Sequence, residues 1–250
     1  MLASGSKGNA VYLSNGATSL LIDAGLSGLE IQRRLASKGL RPEDLDAILV
    51  SHEHADHVQG VGVLSRRFNL PVYINKGTFD AASGIGKLSD PRAFDCGTAF
   101  RIGQLNIHPF SLSHDAKDPS GFTFGQNGKK IGFATDLGIA TAMVKSHLAD
   151  CTVLILEANH DPIMLEKGPY PWPLKQRIKS RTGHLSNMAS KELLEEIRHN
   201  RMEHVILAHL SETNNTPDKA FQAVEPALSN SGIRLSVATQ DGSGEILYVR

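Results

Sequence analysis

The sequence predicts an α/β fold: two mixed β-sheets with helices on their outer faces. Three observations carry this expectation. Short β-rich apolar runs alternate with amphipathic segments along the 250 residues. The strands outnumber what a simple doubly wound sheet uses. Hairpin turns occur in both halves, SNGA at 14–17 and QNGKK at 126–130, so some neighbouring strands run antiparallel. No repeat, low-complexity tract or linker interrupts the chain, and residues 1–250 are read as one domain with enough length to bury a full core.

In chain order, strands at 10–13 and 19–23 flank the first hairpin turn. A helix at 28–38 leads to the wholly apolar run AILV, which makes 47–51 a buried strand. A helix at 60–68 precedes a strand at 71–74. The alternating stretch LNIHPFSLS is read as a strand at 105–113, and strands at 122–125 and 130–135 enclose the second hairpin turn. A helix at 139–148 is followed by TVLILE, a strand at 152–157. The helix at 187–199 has Ser186 or Asn187 as its cap and Leu193, Leu194 and Ile197 as its apolar stripe. A strand at 205–209, a helix at 216–230 and strands at 235–239 and 245–249 complete the reading.

Composition narrows the class without choosing a function. Apolar residues make up 40% and charged residues 21%, an ordinary globular balance. Lys plus Arg and Asp plus Glu are both 26, so only a local patch can select a nucleic acid. Cys96 and Cys151 lie far apart and form no CxxC pair. Cys151 opens the apolar run CTVLIL and is expected to be a buried thiol, with no disulfide framework. The opening MLASGSKGN lacks the apolar centre of a signal peptide, and no run approaches the roughly 18 apolar residues of a membrane span. A soluble protein of the reducing cytoplasm is expected.

The chemistry concentrates in SHEHADH, residues 51–57, where three of eleven histidines stand beside a glutamate and an aspartate. His52, His54 and Asp56 are read on one side of an extended loop, with His57 on the other. Imidazole and carboxylate suit a borderline cation such as Zn²⁺. Clustered imidazoles directly after a buried strand are otherwise costly, so the stretch is read as a metal site. The spacing lets four ligands divide between two neighbouring metals. Three more positions share this context of a polar residue after an apolar strand: His114, Asp136 and His209. Asp136 has two oxygens with which to bridge cations roughly 3.5–4 Å apart.

SHEHADH matches the HxHxDH signature of the metallo-β-lactamase superfamily. ASGSKGNAVYL, LLIDAGLSG, LEANHD, GPYPWPLKQRI, GHLSN and LAHLSETNNTP resemble the YycJ (WalJ) family of bacterial metallo-hydrolases over essentially the whole chain. Family members usually carry a strand before the Gly/Ser turn, whereas this chain starts almost at it. The resemblance implies an αββα sandwich with a dinuclear centre along one edge of the sheets. It assigns His52, His54 and His114 to one metal, Asp56, His57 and His209 to the other, and Asp136 to both. Such a centre supports hydrolysis, in which a metal-bridging hydroxide oriented by Asp56 attacks a phosphodiester. A diiron oxygen-reducing variant would prefer a carboxylate where His54 stands.

Two further residues bear on the substrate. Glu157 ends an apolar strand and His184 sits in a Gly-His turn before a helix. Ribonuclease Z-type enzymes have a glutamate and a histidine in similar motifs. A Glu–His pair keeps an imidazolium protonated, ready to hold a phosphate or protonate a leaving alkoxide. His160 has two open readings, contacting the substrate or capping the turn at Asp161. Lys175, Arg177, Lys179 and Arg181 precede His184 and form either a solvated helix face or a track for a nucleic-acid backbone. Trp172 and Tyr170 either stack on a base or pack under their loop. The turn holding Ser6 and Asn9 either presents N–H groups to a phosphate or is an ordinary tight turn.

The chain has no room for the large insertion of the β-CASP nucleases, and no arm like that of ribonuclease Z or helical domain like that of glyoxalase II. The YycJ resemblance implies a 5′-to-3′ exonuclease on double-stranded DNA linked to mismatch repair. Two alternatives stand beside it. One is a small-molecule phosphodiesterase or esterase, or an RNA-cleaving ribonuclease Z-like enzyme, with the same fold. The other is a metal-stabilised regulatory protein, which the full ligand set and Asp56 argue against. Two divalent ions are expected, Zn²⁺ first, with Mn²⁺ and Fe²⁺ as competitors. DNA is the expected partner, and a homodimer is allowed.

Overall fold

The computed structural model of this protein describes residues 1–249. Its strands form two mixed sheets, as the alternation of runs and hairpin turns implied. The first contains β1 (Val11–Ser14), β2 (Ser19–Ile22), β3 (Ala47–Leu49), β4 (Pro71–Asn75) and β5 (Asp90–Phe94), in that order. β1 and β2 are antiparallel around the SNGA turn; β2, β3, β4 and β5 are parallel. The second sheet adds β6 (Phe100–Ile102), β7 (Leu105–Ser111), β8 (Ser120–Gln126), β9 (Lys129–Ala134), β10 (Val153–Glu157), β11 (His204–Ala208) and β12 (Arg234–Val237). Its order is β12-β11-β10-β9-β8-β7-β6. β9 through β12 are parallel, whereas β8 and β9 form the hairpin around QNGKK.

Nine α-helices accompany these strands among the described residues: α1 (Gly28–Ala36), α2 (Ala55–Val58), α3 (Val61–Phe68), α4 (Lys76–Ala81), α5 (Ala142–Leu148), α6 (Pro162–Lys167), α7 (Trp172–Lys179), α8 (Asn187–Ile197) and α9 (Pro217–Leu228). Ser186 caps α8 by accepting from Ala189 N, as one of the two expected caps. No helix among the described residues is long and apolar enough to cross a membrane.

The chain divides into two compact units. One consists of Met1–Pro109, Ala116–Ser120 and Gln240–Tyr248. Its core joins the inward side chains of the first sheet, Leu21, Ile48 and Val72, to Ile31 and Leu35 of α1 and Val61 and Leu64 of α3. The other consists chiefly of Phe110–Asp115 and Gly121–Thr239. There Leu154, Leu156, Val205 and Leu207 of the parallel strands pack with Val144 and Leu148 of α5, Leu193 and Leu194 of α8 and Val224 of α9. Each apolar stripe repeats at helical spacing, so each helix buries one face.

Several expectations differ from the structure. Residues 55–58 are a short helix and not extended loop, which puts Asp56 and His57 on a helical turn with His54 at its N-cap. Residues 245–249 form no strand; their large apolar side chains, Ile246 and Tyr248, are exposed. β5, β6, α2, α4, α6 and α7 were not expected. β5 carries Pro91, which a sheet tolerates at an edge, and β5 is the edge strand. Before the Gly/Ser turn, Ala3 makes a single antiparallel bridge with Ala10.

Candidate metal centre

In the first unit, β2 and β3 run parallel and end side by side, with Ile22 level with Leu49. Asp23 follows β2 in a left-handed conformation, φ 58°. An aspartate accepts that geometry better than most residues, at about 1–2 kcal/mol. In return its buried carboxylate accepts Ser51 N, Ser51 Oγ and His57 Nδ1, each at 2.8 Å. Ser51 Oγ lies 3.0 Å from His52 Nδ1. His52 Nε2 and His54 Nδ1 are 3.1 Å apart. The imidazoles of SHEHADH thus turn their nitrogens toward one another.

Asn9 holds the other side of this turn. Its backbone N donates to Asp56 O at 2.8 Å, and its Oδ1 accepts from Gly5 N at 3.0 Å. Its Nδ2 lies 3.3 Å from Asp56 Oδ2 and 3.1 Å from His57 Nε2. A Cβ on Gly25 would fall 1.6 Å from Asp56 O, so only glycine lets the LIDAG segment approach α2 this closely. The N–H groups of Gly5, Lys7, Gly8 and Asn9 all bond within this unit. The phosphate-cradle reading of the turn gives way to a structural one: Asn9 is a buried brace on Asp56 and His57, and Ser6 is exposed at the tip of the turn.

In the second unit, three adjacent parallel strands deliver their last residues to one edge. β9 leads to Asp136, β10 ends in Glu157 and β11 leads to His209; Leu156 is level with Ala134, and Glu157 with Ala208. Carboxyl ends of parallel strands are where such sheets place ligands. Asp136 (φ 61°) and His209 (φ 56°) are left-handed, like Asp23. Four donor atoms, one each from Asp136, Glu157, His184 and His209, lie within 4.8 Å of one another.

Glu157 organises this cluster. Its Oε1 accepts His184 Nδ1 and His209 Nδ1, both at 2.8 Å. Its Oε2 accepts Leu137 N at 3.1 Å and Leu185 N at 3.0 Å. His209 Nδ1 is also 3.1 Å from Asp136 Oδ1. Burial alone would push the Glu157 carboxyl up; the charge of His184 and the hydrogen bonds from both imidazoles outweigh it and bring the group down to about 2. Burial likewise opposes a charge on His184, but the adjacent Glu157 carboxylate wins, so protonation persists to higher pH than for an ordinary histidine. The His184 ring keeps 21% of its surface exposed. It sits there because His184 N bonds to Ile178 O at 3.0 Å and a Cβ on Gly183 would meet that oxygen at 2.2 Å.

His114 follows β7 and lends Nδ1 to Gly183 O at 3.1 Å, leaving Nε2 3.9 Å from Asp136 Oδ1. Burial holds His114 toward its neutral form. His57, His114 and His209 therefore share one arrangement: Nδ1 donates to an acceptor, so Nε2 keeps its lone pair. His52, with Nδ1 beside Ser51 Oγ, fits it too. That is the outer support that metal-ligating histidines take. The donor set of imidazole and carboxylate fits a divalent cation.

The remaining expected residues are placed as follows. His160 is 3% exposed; Asp161, and not His160, caps α6 by accepting from Met164 N. Burial holds the His160 imidazole down to about 4. The capping reading of His160 is thus corrected, and its buried ring is not open to a substrate at the surface. The basic stretch lies on α7 and the turn after it. Arg177 pairs with Asp115, Lys175 Nζ donates to Glu166 O at 2.7 Å, and Lys179 and Arg181 are exposed. His108, His147, His199 and His204 have structural partners: Gly97 O, the Phe110 ring, Arg201 N and Ser236 Oγ. Asp23 carries no role in the sequence reading, although it has the same signal as Asp136, a polar residue directly after the apolar run SLLI.

The chain is similar to known proteins of one superfamily. The profile of the β-lactamase superfamily domain matches residues 18–210. The chain is 38% identical to exodeoxyribonuclease WalJ of Streptococcus pneumoniae, covering 95% of this chain and 90% of that protein. It is 36% identical to exodeoxyribonuclease YycJ of Bacillus anthracis, covering 95% and 91%. Among solved structures, the metallo-β-lactamase fold protein YhfI of Bacillus subtilis superposes with a TM-score of 0.74 at 17% identity, covering 95% of this chain and 93% of that one.

Proposed function

This chain belongs to the β-lactamase superfamily and, within it, to the WalJ/YycJ family, and from that premise we propose that it is a metal-dependent exodeoxyribonuclease. The observation that carries the reading is Glu157 between His184 and His209: one buried carboxylate holds Nδ1 of a buried imidazole and Nδ1 of a partly exposed one, and favours the protonated form of the second. A simple metal-storage or structural site has no use for the second. The near full-length likeness to two exodeoxyribonucleases supports DNA as the substrate class.

We assign His52, His54 and His114 to one cation, Asp56, His57 and His209 to a second, and Asp136 to both, following the family pattern. Zn²⁺ is the proposed ion, with Mn²⁺ the first competitor. Bound there, divalent cations supply Lewis acidity toward a phosphodiester and lower the pKa of water. The chain's own residues do the rest. Asp23 and Ser51 hold His57 and His52 in the tautomer that offers Nε2. Asn9 fixes Asp56 so that one carboxylate oxygen stays oriented toward the attacking water. Glu157 holds Nδ1 of His184, so the proton at Nε2 is the one presented to the leaving alkoxide. Lys179 and Arg181 draw in the DNA backbone. Attack from the 5′ end of duplex DNA, in mismatch repair in the cytoplasm, completes the proposal.

A substrate panel tests it. Metal-loaded protein is offered duplex DNA, single-stranded DNA, RNA and bis(p-nitrophenyl) phosphate, with His184→Ala beside the wild type. Duplex DNA should be the preferred substrate, and His184→Ala should lose far more on DNA than on the activated nitrophenolate diester. Turnover of the small diester alone, or equal losses on both substrates, would overturn the reading.

A further inference from the structure

We propose that the outer stripe of α7 is a nucleotide-binding subsite in which Trp172 stacks on a DNA base about three nucleotides from the phosphate that Lys179 holds. This rests on the nuclease reading above and adds a contact that reading does not supply. Trp172 is the chain's one tryptophan and is 67% exposed, while the inner face of α7 is closed by buried Ile178 and half-buried Leu174. The indole therefore contributes little to the core, and the alternative that it packs under its loop is excluded.

Its neighbours suit a polyanion. Trp172, Lys175 and Lys179 stand at i, i+3 and i+7, along one side of the helix. Arg177 projects off this stripe and pairs with Asp115. From Lys167 to Lys191 the sequence has six basic residues and no acidic one, in a chain whose charges otherwise balance at 26 and 26. Lys179, at the end of α7 nearer the Gly183–His184 turn, is close enough for its charge to act on His160 beside Glu157. Seven residues of helix separate Trp172 from Lys179, about 10 Å at 1.5 Å per residue. At about 3.4 Å per stacked nucleotide, that is about three steps. A flat aromatic face at the far end of a cationic stripe is how strand-binding surfaces hold bases without reading sequence.

Because Trp172 is the only tryptophan, its emission reports the subsite directly. The probe is a phosphorothioate duplex with a 5′ single-stranded tail, labelled for anisotropy, together with the same duplex carrying a wholly abasic tail, both added to metal-loaded protein. The intact probe should quench the emission strongly. The abasic probe should bind about tenfold more weakly, with most of the quenching gone. Trp172→Leu should weaken binding of the intact probe by about the same factor, and Trp172→Phe should restore most of it. Binding by anisotropy without quenching, or equal quenching by both probes, would overturn the subsite and leave the nuclease reading intact. Emission that changes with protein concentration in the absence of DNA would assign Trp172 to a contact between copies and also overturn it. No binding of either probe would overturn both the subsite and the nuclease reading.

Discussion

Glu157 Oε1 stands 2.8 Å from His209 Nδ1, and the same oxygen accepts His184 Nδ1 at 2.8 Å. One ionised group thus sets the tautomer of His209, a proposed metal ligand, and favours the charged form of His184. Glu157→Gln removes that charge while keeping the shape. Affinity for Zn²⁺, read by competition with a chromophoric chelator, should fall about 10- to 100-fold. Unchanged affinity would show that Glu157 supports His184 alone.

Asn9 braces the opposite side. Asn9→Asp would set a second carboxylate against Asp56 Oδ2, where Nδ2 now lies at 3.3 Å. Steady-state kinetics on duplex DNA should show kcat reduced at least about tenfold, since a lost buried hydrogen bond costs about 1–3 kcal/mol. A variant with wild-type kcat would remove Asn9 from the account of Asp56.

His160 links the fold to pH. Burial holds it down to about 4, against an ordinary 6.5, and its Nδ1 has no hydrogen-bond partner. The unfolded chain therefore takes up a proton that the folded chain refuses between those values. Stability contributed by neutral His160 is present above 6.5 and is lost as the pH falls toward 4. Urea unfolding of metal-free protein across that interval should show a shallower pH dependence in His160→Asn than in wild type. Identical slopes would place the acid sensitivity elsewhere.

These residues also show what a sequence makes legible. Asp136, Glu157 and His209 could be found because a polar residue closing an apolar run must sit at the end of a buried strand. Asp23 closes such a run too, but its partners Ser51 and His57 lie 28 and 34 positions away, and that distance is bridged only by the β2–β3 pairing. The helical turn at Ala55–Val58 lacks apolar periodicity: it is four residues long and only Val58 among them joins the core. Most of β5 is exposed and β6 has only three residues, so neither has the alternation of a half-buried strand. The role of Asn9 depends on a clasp between residues 47 positions apart, which no local pattern encodes.

The basic residues of α7 are not equivalent. Lys179 is exposed, whereas Arg177 is paired with Asp115. Lys179→Ala should weaken duplex DNA binding and reduce the slope of log affinity against log salt by about 1. Arg177→Ala should change that slope less. Anisotropy titrations over a range of salt concentrations check this, and a larger effect from Arg177 would contradict it.

The most direct test of the central claim is a time course of metal-loaded protein on duplex DNA labelled at one 5′ or one 3′ end, with Asp56→Ala as control. The account predicts that label at the 5′ end appears at once as mononucleotide, that label at the 3′ end stays long until the strand is consumed, and that Asp56→Ala lowers both rates by several orders of magnitude. Release from the 3′ end first, internal cleavage, or full activity in Asp56→Ala would contradict it.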